Sequence, residues 1–143
     1  MGDFLLDTDT SIEIINRPGE WDTVLLGRNL AISSVTAYEL AVGMEKCRSK
    51  NTIQETRDFL AAIEIIEFDT GAALESARVR AELEAKGMGI GPYDTLIAGH
   101  CRMLDRILIS NNLREFERVE GLSAESLDPA PRDESRRESS SPN

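Results

Sequence analysis

The chain has 143 residues, a formal net charge of −10, 41% hydrophobic and 29% charged residues, the profile of one ordinary domain whose core folds without disulfide or metal staples. Cys47 and Cys101 stand far apart with no CxxC pair, and the chain has a single histidine, which sets aside a disulfide framework and a zinc site and predicts buried, reduced thiols. There is no run of about 18 apolar residues and no signal-peptide pattern, so a cytoplasmic protein without a membrane span is expected, and the acidic balance argues against phosphate binding by the surface as a whole.

The first element is an apolar run over residues 3–7 that ends in Asp7, with a helix expected through Ser11-Ile12-Glu13-Ile14-Ile15 until Pro18-Gly19 ends it. LAIS at 30–33 is a second buried strand, and Leu40, Gly43, Met44 and Cys47 then recur at helical spacing. IEIIEF at 63–68 is a third strand. Asp69-Thr70 precedes a long helix in which Leu74, Ala77 and Ala81 repeat among Glu75, Arg78, Glu82 and Glu84. A loop, Gly87-Met88-Gly89-Ile90-Gly91-Pro92, delivers the chain to a helix opened by Asp94, and RILIS at 106–110 is the last long strand. Strand alternating with helix predicts an α/β fold, a central mostly parallel sheet with helices on both faces. This domain spans 1–128; from 129 to 143 apolar residues almost vanish, which predicts a disordered tail.

Four acids fall at comparable places. Asp7 closes the first strand, Glu39 lies on the first turn of the helix after the second, Asp94 opens a helix, and Glu115 follows the SNN that ends the last strand. Parallel strands bring such ends to one edge, where open α/β sheets bind ligands, and an oxygen-only cluster suits a hard divalent cation. Each acid also has a purely structural reading. Asp7 or Asp9 can cap the first helix, Thr36 and Glu39 have the pattern of a capping box, Asp94 suits a helix dipole, and Glu115 can pair with Arg114 or Arg118. Taken singly these readings suffice; together they leave the recurrence unexplained.

LLDTDTSIEI, ISSVTAYELAVGMEK, IGPYDTLIAGH and LISNNLREFERVEGL, in this order from about Phe4 to about Leu127, resemble the successive blocks of PIN-domain ribonucleases, most closely the VapC toxins of bacterial toxin–antitoxin pairs. The resemblance implies a PIN fold and metal-dependent hydrolysis of RNA with Mg²⁺, for which Mn²⁺ can substitute. It implies Asp7 and Asp94 as principal metal ligands, with Glu39 and Glu115 as further catalytic acids. It also implies an RNA substrate, here transfer RNA, a small VapB-like antitoxin and a homodimer. The chain departs from the common pattern at Asn112, where many members have aspartate, at Tyr93, where a polar residue commonly precedes the third-block aspartate, and at Glu125-Ser126-Leu127 in place of an EDW ending.

Positive charge near the acids is needed for phosphate approach, and Arg17, Lys46, Arg48, Lys50, Arg114 and Arg118 are the candidates. Rival readings are a haloacid-dehalogenase-like phosphatase, suggested by DTDTS but lacking its downstream Lys and Asp motifs, a receiver-like signalling domain, for which SNNLR offers no lysine, and a PIN domain turned binding scaffold. Dependence of RNA cleavage on a divalent ion separates the scaffold from the nuclease.

Overall fold

The apolar run at the start of the chain forms the central strand, β1 (Asp3–Leu6), of a five-stranded sheet in a computed structural model that describes residues 2–128. The segment expected to be a disordered tail, 129–143, lies outside the described residues. After β1 come α1 (Thr8–Asn16), α2 (Asp22–Leu25), β2 (Asn29–Ser33), α3 (Ser34–Lys46), α4 (Lys50–Ala62) and β3 (Glu64–Ile66). The chain continues through α5 (Thr70–Ala85), α6 (Pro92–Leu104), β4 (Ile107–Ile109), α7 (Leu113–Phe116) and β5 (Ser123–Glu125). The strands lie in the order β3-β2-β1-β4-β5 and every pairing is parallel. The expected sheet is therefore found, wholly rather than mostly parallel among the described residues.

Successive side chains of a strand point to opposite faces, and both faces of β1 are buried. Leu5 packs with Ala31, Leu108, Val79, Leu83, Ile97, Ala98 and Cys101, whereas Phe4 and Leu6 pack with Ile15, Ile32, Leu40 and Ile109. Helices α5 and α6 cover the first face, and α1, α3 and α4 the second. A sheet covered on both sides needs apolar residues at consecutive positions, which is why FLL and AIS are continuous runs. Each such Leu or Ile contributes about 1.5–3 kcal/mol when fully buried.

Several details differ from the sequence reading: the strand expected at 63–68 is only Glu64–Ile66, and helix α4 at Lys50–Ala62 was not foreseen. The helical spacing of Leu74, Ala77 and Ala81 does mark α5, but the buried side of that helix is Ala72, Ser76, Val79 and Leu83, and Leu74 is 61% exposed. The reason is Gly99 on α6: a Cβ there would overlap the backbone of Ser76, so only small residues fit where the two helices meet. Cys101 is buried and its thiol is pushed up to about 12 by burial, but Cys47 is only partly covered. The strand at 106–110 is short, with β4 confined to Ile107–Ile109. The fifth strand, β5, was not foreseen. Among the described residues no helix is long and apolar enough to cross a membrane.

β1 has β2 on one side and β4 on the other, and the chain reaches β4 only after β2 and β3 are complete. Strand order reverses there, and the carboxyl ends of the strands around such a reversal form the binding crevice of open α/β sheets. Leu6 is in register with Ile109, which puts Asp7 beside Ser110.

Candidate active site

Asp7 is the residue at which β1 stops and α1 begins. Its backbone is extended, its Oδ1 accepts the Thr10 amide at 2.9 Å, and it caps α1, an interaction typically contributing about 0.5–2 kcal/mol. Capping and site membership are compatible here because a carboxylate has about four lone-pair positions. The Ser110 hydroxyl donates to Oδ2 at 2.5 Å. That hydroxyl accepts the Asn112 amide at 2.9 Å, so its single proton is committed to Asp7. Asp7 is 3% exposed. Burial raises its pKa, the Ser110 and Thr10 hydrogen bonds oppose the rise, and Asp9 adds to it.

Glu39 is not a capping-box acid. Helix α3 is capped by Ser33, whose side chain accepts the Val35 amide, so Thr36 lies inside the helix and Glu39 on its second turn rather than its first. Its Oε1 instead lies 2.6 Å from the Thr8 hydroxyl, which is 3.1 Å from that of Thr36. With the Thr8 proton given to Glu39, Thr36 supplies the other proton of the chain, and both threonines are buried. The pair ties the first turn of α1 to α3.

Asp94 is the third residue of α6, behind Pro92, and the helix cap at Gly91 makes no side-chain hydrogen bond. Pro at the first helical turn fits because its missing N–H has no intrahelical partner there. Asp94 has a pKa raised to about 6, first by burial and then by the charges of Asp7, Glu115, Asp9 and Glu39 in that order. The other three acids predicted from the sequence, Asp7, Glu39 and Glu115, thus all act on Asp94. Asp9, exposed in the first turn of α1, joins them.

Glu115 is on α7 and half-buried, and its Oε2 accepts from the Asn112 side-chain amide at 2.9 Å. The expected pairing with Arg114 or Arg118 does not occur among the described residues. Asn112 serves two neighbours: its backbone N–H holds Ser110 and its side chain holds Glu115.

The hydroxyls and the amide were missed by sequence reasoning. Thr8 and Thr10 stand inside DTDTS and Ser110 and Asn112 inside LISNN; a polar residue that donates hydrogen bonds, next to each strand-end acid, was the available signal. Of the candidate cations, Arg17 is taken by Glu13 at 3.2 Å and Glu20 at 3.6 Å, and Arg118 donates to the Gly89 carbonyl at 3.2 Å. Lys46 ends α3, seven residues and so about 10 Å along the axis from Glu39, and Arg48 and Lys50 lie beyond it. Of these candidates only Arg114, exposed beside Glu115, is next in sequence to an acid of the site, and it has no ion pair among the described residues.

The donor set is oxygen-only, and none of its acids forms an ion pair among the described residues. Among the described residues no three His, Cys, Asp or Glu side chains are placed to hold one ion together. Two carboxylates, Asp7 and Asp94, with the remaining positions left to water and substrate, fit Mg²⁺, which keeps several waters, better than a Ca²⁺ cage of six to eight protein oxygens.

A PIN-domain family model matches residues 4–122. The chain is 38% identical over 126 residues to the tRNA(fMet)-specific endonuclease VapC of Salmonella typhimurium, covering 85% of this chain and 96% of that one. It is 37% identical over 131 residues to Ribonuclease VapC2 of Rickettsia felis, covering 87% and 98%. Its fold superimposes on a chain in the crystal structure of DNA-bound VapBC from Salmonella typhimurium with a TM-score of 0.80 and 37% identity, over 88% of this chain and 98% of that chain.

Proposed function

Because the chain belongs to the PIN-domain family and, within it, to the VapC ribonucleases, we propose that it is a metal-dependent endoribonuclease toxin that hydrolyses phosphodiester bonds of transfer RNA and is neutralised by a small VapB-like antitoxin. The observation that supports this most is the convergence of four carboxylates on Asp94, whose pKa is raised to about 6. Charges of one sign gathered in a half-buried place are costly unless a cation offsets them. Transfer RNA is favoured because the Salmonella relative is named for it, and an antitoxin because the neighbouring structure is a VapBC complex. A cytoplasmic homodimer completes the reading; a chain that sediments as a monomer would remove the dimer from it.

Asp7 and Asp94 would hold Mg²⁺ or Mn²⁺, which supplies polarisation of a phosphoryl oxygen and a lowered pKa for water. The residues of the chain divide the rest. Asp7 is fixed by the Thr10 amide on one oxygen and Ser110 on the other, so it meets its ligand without rearranging. Glu39, steadied through one oxygen by Thr8, and Glu115, steadied through one oxygen by Asn112, each keep the second oxygen available to accept a proton from water or to orient it. The purified chain should cleave RNA with Mg²⁺ or Mn²⁺ and stop in excess EDTA; undiminished cleavage in EDTA would overturn the reading.

A further inference from the structure

The two tyrosines of the chain are also its most exposed aromatic residues, and both stand next to an acid of the site. Tyr38 precedes Glu39 on α3 and Tyr93 precedes Asp94 on α6, and their exposures are 54% and 42%. The other aromatics are buried or half-buried, Trp21 and Phe116 at 1% and Phe4 at 4%, with Phe59 and Phe68 between. The tyrosine rings meet at 5.8 Å between centroids with 46° between their planes. Rings so tilted are not stacked face to face, and both residues remain exposed. The Tyr93 phenol is held above its ordinary value, chiefly by the Tyr38 hydroxyl and in smaller measure by the Glu39 charge.

An RNA strand approaching this edge meets a chain of net charge −10 in which Arg114, adjacent to Glu115, has no ion pair among the described residues. Phosphate contacts, the usual main source of affinity, are scarce. Stacking of bases on aromatic faces needs no charge and tolerates any base. We propose that Tyr38 and Tyr93 form a platform on which unpaired bases beside the scissile phosphate stack, so that affinity for single-stranded RNA at this site comes from ring contact rather than from cations. The platform rests on the nuclease reading above. It also assigns a role to Tyr93, the residue that departs from the polar one commonly found before the third-block aspartate.

The test is steady-state cleavage of a single-stranded RNA oligonucleotide by Tyr38→Ala, Tyr38→Leu, Tyr93→Ala and Tyr93→Leu, with Phe and Trp at each position as ring-preserving controls. Both residues are exposed, so the variants fold; Leu retains apolar bulk without a ring face. Ala and Leu should raise KM by on the order of tenfold with kcat within about twofold, Phe and Trp should restore it, and sedimentation should be unchanged. Unaltered KM in the Ala and Leu variants would overturn the platform while leaving the nuclease intact. A fall in kcat alone would make the tyrosines supports of the acids, and a shift in sedimentation would make them a contact between copies of the chain; either overturns the proposal. An unaltered chain that cleaves no RNA with any divalent ion would overturn both readings.

Discussion

At Asp94 two effects of opposite sign meet. The α6 N-terminus favours a negative charge by about 0.3–1 kcal/mol, yet the carboxyl titrates at about 6 because burial and the charges of Asp7, Glu115, Asp9 and Glu39 outweigh that gain. The folded-state pKa lies above the ordinary aspartate value of 3.8, so this group favours the fold fully below pH 4 and loses that contribution as pH rises through about 6. In EDTA at pH 7.5, Asp94→Asn should therefore melt about 4 °C above the parent, the shift that roughly 1 kcal/mol produces in a domain of this size after allowance for solvent screening. The difference should vanish near pH 4 and reverse on adding Mn²⁺, and cleavage should be lost throughout; a lower melting temperature in EDTA at pH 7.5 would mean that Asp94 serves the helix rather than a metal. Glu115 separates site from scaffold in another way. A Gln side chain can still accept the Asn112 amide that now holds Glu115, so Glu115→Gln should leave the melting temperature within about a degree while lowering kcat/KM tenfold or more, about 1.4 kcal/mol in the barrier. An unchanged rate would leave Asp7, Glu39 and Asp94 as the only acids of the site.

Helices α5 and α6 approach so closely at Ser76 and Gly99 that a Cβ on Gly99 would overlap Ser76. Gly99→Ala should lower stability by about 1–3 kcal/mol, as overpacking does, and adding Ser76→Gly should not restore it, because the new methyl would strike the Ser76 backbone as well as its hydroxyl; chemical denaturation of the single and double variants decides this. The same contact explains where the sequence was misread. Helical spacing revealed α5, but apolarity did not reveal its inner side, since Leu74 faces out and Ser76 in. β1, β2 and the acids at strand ends were legible because burial on both faces demands continuous apolar runs and because the acids stand where those runs stop. β5 was not, since Ser123-Ala124-Glu125 is an edge strand held by backbone pairing to β4, with little side-chain pattern to read. The supports of the acids were hidden for a related reason: Ser110 serves Asp7 only because β4 is the neighbour of β1, and local sequence does not specify that neighbour.

For the whole molecule, a charge of −10 with acids concentrated at one edge favours a cationic partner over a polyanionic one. Co-expression with the small protein of the adjacent reading frame should yield a copurifying complex that does not cleave RNA, and replacing an Arg or Lys of that protein by Ala should restore cleavage; failure of any small chain to copurify would remove the antitoxin from the proposed function. The site also draws on the full length of the fold. The Asp7 carboxylate is held by Ser110, whose amide donates to the Glu125 carbonyl at 3.0 Å. Residues 103 positions apart must meet before the first acid is fixed, and the strand that steadies the meeting is the last described element to be synthesised. A chain emerging from the ribosome therefore carries Asp7 and Glu39 well before it carries Asp94, Glu115 and the Ser110 shelf for Asp7. An incomplete copy that lacks these residues lacks the proposed site as well.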